Sequence, residues 1–188
     1  MSSYKIKDLG VVITGYTPKT SEHLNYSSND YMFISPTDLK KSRYIKSTTK
    51  YISSYAFNNS KNRILKFGDI VVDCIGSDMG NVGFVYDDCI SNQQINAITS
   101  IDNNKVLNLY LYYLLSTKKN YFHQIGMNGS TMPIVSKSLF EDIDISIHEL
   151  DEQQHIVNTI SSASISLLLF LLIVYFLQIS LIILEITF

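Results

Sequence analysis

Between Thr37 and Lys66 the sequence places Lys40, Lys41, Arg43, Lys46, Lys50, Lys61, Arg63 and Lys66 against a single acid, Asp38, a local balance of +7. Ammonium and guanidinium groups at this density suit a polyanion: phosphates take the lysines, and a guanidinium can fork onto either a phosphate or a guanine edge. The next stretch, Phe67 to Asn104, has no base and six acids, Asp69, Asp73, Asp78, Asp87, Asp88 and Asp102. A net charge of −2 hides this segregation, which gives the surface field a direction. Further along, Asn128-Gly129-Ser130-Thr131 offers small polar groups and free amides near Lys137.

Catalytic chemistry is hard to find. No phosphate-binding glycine loop, nucleophile elbow or HExxH zinc motif is present. His23, His123, His148 and His155 are dispersed and would have to converge to hold zinc. Asp69 and Asp73 could suggest a metal-dependent nuclease, but the accompanying lysine is not nearby, and Gly68-Asp69 reads more simply as a turn opening a strand. Cys74 and Cys89 lie in apolar runs without a CxxC partner, the pattern of reduced, buried thiols. No catalytic residue, metal or cofactor is expected.

The elements that must carry these groups alternate irregularly. "YKIKDLGVVITGYTP" holds short strands ending in a Gly15/Pro18 turn, and "YMFIS" is another strand. Two β-rich runs, Asp69–Ile75 and Asn81–Tyr86, bracketed by Gly76 and Gly80, predict a hairpin, and "NQQINAITSI" predicts a further strand. Leu107, Tyr110, Leu111, Leu114 and Leu115 recur at helical spacing, so "VLNLYLYYLLSTKKNYF" predicts one amphipathic helix. Ser136 is positioned to cap a short helix, "DIDISI" is a final strand, and "HELDEQQHIVNTI" restarts helically. The expected class is α+β: a mixed, β-rich domain with a few helices, followed by a C-terminal helix.

The order of these motifs resembles the target recognition domain of the specificity subunit of type I restriction–modification enzymes. The succession is "ITGYTPKT", "YMFISPTDL", "ILKFGDIVVDCIGSDMGNVGFV", "NQQINAI", "GSTMPIVSKSLFEDIDISI" and "ELDEQQHIV". "SIHEL" stands where that family usually has a proline-rich step. The resemblance implies a DNA recognition domain over residues 1–148, the start of a spacer helix over 149–163, and an apolar tail over 164–188. It also implies a non-catalytic reader of one half-site in double-stranded DNA, in the prokaryotic cytoplasm. Its partners would be a methyltransferase subunit, a motor–nuclease restriction subunit and, because only one recognition domain is present, a second specificity half-subunit. On that reading Lys40, Lys41, Lys46 and Lys50 are expected on phosphates, and Arg43 and Arg63 on phosphates or bases. Asn128, Ser130, Thr131 and Lys137 are expected at the backbone or base edges. Gln93 and Gln94 could pair with adenine, but the structural role is the favoured expectation for them.

The tail, "SISLLLFLLIVYFLQISLIILEITF", contains one charged residue, Glu185. Alone it predicts a membrane anchor on a cytoplasmic binding domain, the alternative reading, although no lysine or arginine flanks it. Behind a recognition domain it occupies the place of an amphipathic spacer helix, and its all-round apolar surface is the wrong one. A disrupted ending, by frameshift or gene inversion, is the expectation that follows, and with it a remnant half-subunit unable to build the full enzyme.

Overall fold

The computed structural model describes residues 1–127 and 132–164. The strands are β1 (Ser2–Lys5), β2 (Val11–Thr14), β3 (Tyr31–Ile34), β4 (Tyr44–Ile45), β5 (Lys50–Ile52), β6 (Ile70–Asp73), β7 (Val82–Val85), β8 (Cys89–Ser91), β9 (Ile95–Thr99) and β10 (Asp144–Ile147). The helices are α1 (Ser54–Asn59), α2 (Asn108–Ser116), α3 (Lys119–Gly126), α4 (Lys137–Glu141) and α5, helical over 150–164. The strands form a five-stranded sheet in the order β2-β9-β6-β7-β4, a three-stranded sheet β5-β3-β8, and a pair β1-β10. The α+β class is borne out.

Alternation along the central strands explains the layering. Ile70 and Val72 of β6 enter one apolar cluster, with Tyr110, Leu111 and Leu115 of α2, Phe122 of α3 and Phe140 of α4. Val71, between them, enters a second cluster with Met32 and Ile34 of β3 and Cys89 of β8. Both faces of the sheet are therefore covered, which is why β6 is buried throughout and Ile70-Val71-Val72 reads as a continuous apolar run. Phe33 points to the other face of the small sheet, into a third cluster with Ala56 and Phe57 of α1. The resulting order is helices, large sheet, small sheet, α1.

The hairpin forms as expected, with Ile70 opposite Phe84 and Val72 opposite Val82. Gly80, at φ 90°, closes its turn, and Asp73 accepts from the Asn81 amide at 2.7 Å and from Asn81 Nδ2 at 2.9 Å. Gly15 is required for another reason: a Cβ there would stand 1.9 Å from the Asn92 carbonyl. Ser136 caps α4 by accepting from the Leu139 amide at 3.3 Å.

One expectation is corrected. The single helix expected after Val106 is two, α2 and α3, broken at Thr117 and Lys118. Ser116 Oγ donates to the Tyr112 carbonyl at 2.7 Å, and Thr117 Oγ1 to the Leu114 carbonyl at 2.8 Å, drawing acceptors away from the helical ladder.

Among the described residues no helix is long and apolar enough to cross a membrane. The apolar tail beyond Ser164, on which both the anchor and the disrupted-ending readings fall, lies outside the described residues.

Candidate nucleic-acid interface

Strand β4 lies at the edge of the large sheet, parallel to β7, and the two residues flanking it are cations. The Arg43 guanidinium stands 4.8 Å from the Tyr113 ring centre and 5.4 Å from that of Tyr44. Lys46 Nζ lies 4.4 Å from the centre of the Tyr86 ring. Phe67, 66% exposed, meets Phe84 and Tyr86 edge-on at 5.7 Å. Aromatic faces hold a cation in place without neutralising it. The edge therefore presents positive charge on a fixed aromatic ridge.

Asp38, the lone acid of the basic stretch, is buried and organises the next segment. Its carboxylate accepts from the Ser35 amide at 3.0 Å and hydroxyl at 2.6 Å, and from the Thr49 amide at 2.9 Å and hydroxyl at 2.8 Å. Burial works against its charge, and these hydrogen bonds outweigh it, holding the carboxyl down at about 2. Lys41 reaches the same carboxylate at 3.1 Å and Thr49 Oγ1 at 2.9 Å. Lys50 opens β5 one residue after Thr49, exposed. Thus Ser35-x-x-Asp38 gathers Lys41 and Lys50 on one segment.

The acidic stretch does not become an acidic surface. Asp69 is buried and accepts from the Lys66 amide at 2.8 Å, with burial pushing its carboxyl up to about 6. Asp73 is buried in the hairpin turn, and burial pushes it up as well. Asp78 is gripped by two lysines, Lys40 and Lys119, each at 2.5 Å. Asp102 pairs with Lys105 at 3.2 Å. Asp87 and Asp88 remain, exposed between β7 and β8. Lys119 is a member of this arrangement that sequence reasoning missed; its only signal was a basic residue at the start of a helical run.

Arg63 is fastened to β2 and the glycine turn after it. Its Nη1 donates to the Thr14 carbonyl at 2.8 Å and the Gly15 carbonyl at 3.0 Å, and its guanidinium lies 5.6 Å from the Tyr16 ring centre. Beside it is a cleft of about 450 Å³ whose wall includes Tyr16, Asn58, Lys61 and Asn62, also missed as site residues. Lys137 opens α4, in the helical layer on the opposite side of the large sheet from α1, and pairs with Glu141 at 3.5 Å. The fold does not bring it to the other cations. Asn128, Ser130 and Thr131 lie outside the described residues.

Among the described residues no group of three or more His, Cys, Asp or Glu side chains is placed to hold a metal. Cys74 and Cys89 are buried free thiols, and burial pushes both up, Cys74 to about 12. His148 Nδ1 is engaged with the Tyr110 hydroxyl at 2.6 Å. Gln93 accepts from the Thr17 hydroxyl, and Gln94 is tied to Asn92 and Cys74, placements that fit structural roles.

Comparison with known proteins adds the family dimension. Residues 1–167 match the type I restriction modification DNA specificity domain. The type I restriction enzyme MjaIX specificity subunit of Methanocaldococcus jannaschii is 32% identical over 161 residues, covering 84% of this chain and 36% of that protein. A chain from a type I restriction–modification system, solved to explain complex assembly and conformational transition, superposes with a TM-score of 0.67 at 17% identity over 88% of this chain and 38% of its own. The HsdS subunit from Thermoanaerobacter tengcongensis gives 0.63 at 14% identity, over 88% and 37%. This chain therefore spans little more than a third of each of these relatives.

Proposed function

The chain belongs to the type I restriction modification DNA specificity family, and from that membership we propose that it reads one half-site in double-stranded DNA without itself catalysing a reaction. Residues 1–148 are the recognition domain, and 149–163 begin the spacer helix. The methyltransferase and restriction subunits are its partners in the prokaryotic cytoplasm.

One observation carries this reading. Arg43, Lys46, Lys50 and Lys61 have no ion-pair partner among the described residues. The acids next to them in sequence are meanwhile buried or already paired, apart from Asp87 and Asp88. The cations thus keep their charge for an external anion, and phosphate contacts supply affinity and register in duplex recognition.

Titration of the full chain against a duplex at several salt concentrations tests it. Binding is expected to weaken linearly on a log–log plot. A Lys46→Ala, Lys50→Ala, Lys61→Ala triple variant is expected to flatten the slope by roughly 0.9 per lost contact. An unchanged slope would remove these cations from the interface. No duplex binding under any salt condition would overturn the function.

A further inference from the structure

Resting on this DNA-reading function, we propose that the cleft between Tyr16 and the C-terminal end of α1 is the base-reading surface, and that Asn58 and Asn62 take adenine there. The side chains of these two asparagines are exposed and have no hydrogen-bond partner among the described residues. Asn29 and Asn120 are free as well but do not line this cleft, and several other asparagines of the fold are committed. Asn25, Asn81, Asn92, Asn96 and Asn108 all commit their amides to carbonyls or side chains of the chain itself. A free carboxamide presents a donor and an acceptor side by side, the complement of adenine N7 and N6 in the major groove.

The surroundings suit that task. Lys61, on the same wall, is exposed and has no acid partner among the described residues, placed for a neighbouring phosphate. Glu22, the carboxylate of the cleft, is held by the Tyr55 hydroxyl at 2.9 Å and by Asn25 Nδ2 at 3.3 Å. The platform is fixed: Ser53 caps α1 through the Ala56 amide at 3.3 Å, and Phe57 stacks on Tyr31 at 3.7 Å. Helix α1 packs on the outer face of the small sheet. Arg63 is a positioning residue here. With one nitrogen on the Thr14 and Gly15 carbonyls, it sets the Tyr16 ring at the rim.

Selection from random-sequence duplexes, run with the full chain and with an Asn58→Ala, Asn62→Ala double variant, tests the assignment. Both substitutions are at exposed positions, and matched thermal melts verify the fold. The double variant is expected to lose at least one A·T position from the enriched sequence. It should bind the original preferred duplex roughly tenfold or more weakly, with the salt slope unchanged. Arg63→Lys retains the charge but not the planar guanidinium beside the Tyr16 ring; it is expected to blur the same position at an unaltered slope. An identical enriched sequence from the double variant overturns the cleft while leaving DNA reading intact. A wild-type chain that enriches no sequence overturns it too. A wild-type chain that binds no duplex overturns the function beneath it.

Discussion

Lys40 of the basic stretch and Asp78 of the acidic stretch meet at 2.5 Å, closing in space a charge separation that is wide open in sequence. Lys119 meets the other oxygen of the same carboxylate, and the two lysines hold Asp78 down at about 2. Lys40 is therefore partly neutralised, whereas Lys50 has no acid partner among the described residues. Lys40→Ala is expected to change the salt slope of duplex binding less than Lys50→Ala does. Asp78→Ala frees two cations and is expected to strengthen sequence-independent binding at low salt and steepen the slope by roughly one to two units. Salt-dependent anisotropy on the three variants checks this ordering.

Asp38 sets a low-pH limit on the fold. Its folded carboxyl sits at about 2, below the usual carboxylate value, so its contribution is fully present above about pH 4 and is lost as pH falls towards 2. Asp38→Asn puts an NH₂ against either the Ser35 or the Thr49 donors. The expected cost is roughly 2–4 kcal/mol at neutral pH, read from urea midpoints.

Asp69 acts in the opposite direction. Its folded carboxyl lies at about 6, above the unfolded value, so the folded state binds the extra proton between about pH 4 and 6. Stability from this group is present below that window and lost as pH rises through it. Asp69→Asn keeps an acceptor for the Lys66 amide and removes the buried charge. It is expected to match or exceed the wild type at pH 8 and to flatten the stability profile between pH 4 and 6. Asp73, shifted the same way, leaves a residual slope. Urea midpoints at five pH values measure both effects.

What the sequence made legible were the features governed by neighbours along the chain. Gly76 and Gly80 mark the hairpin, Ser136 marks the cap of α4, and the Leu150 to Ile160 spacing marks α5, because turn chemistry and period act locally. Pairings across the whole chain left no local trace. Ser2 lies opposite Ile147, a closure of the N-terminal strand onto the last one that neither segment announces. Similarly, the +7 stretch was visible as composition, but not that its one acid is buried, nor that Asp78 returns to Lys40. The Asn58 and Asn62 amides carried no local sign that Tyr16 stands on the wall of the same cleft.

Gln153 shows how an apparently misplaced polar residue can be the most informative one in a helix. The helical spacing puts it on the apolar side of α5, and the structure buries it completely. Its Oε1 accepts from the Leu107 amide at 2.8 Å, and its Nε2 donates to the Lys105 carbonyl at 2.9 Å and the His148 carbonyl at 2.8 Å. One side chain therefore joins the start of α2, the end of β10 and the first turn of α5. Gln153→Ala leaves three backbone groups to lose their partner together, at an expected cost of roughly 2–4 kcal/mol. Gln153→Glu keeps the acceptor but turns two donor contacts into oxygen facing oxygen, so it is expected to be at least as harmful at neutral pH. Urea midpoints give the cost, and hydrogen exchange at the Leu107 amide localises it. Exchange there is expected to accelerate more than at Val71, in the centre of the large sheet, because the contact that fails is the one between α5 and the recognition domain.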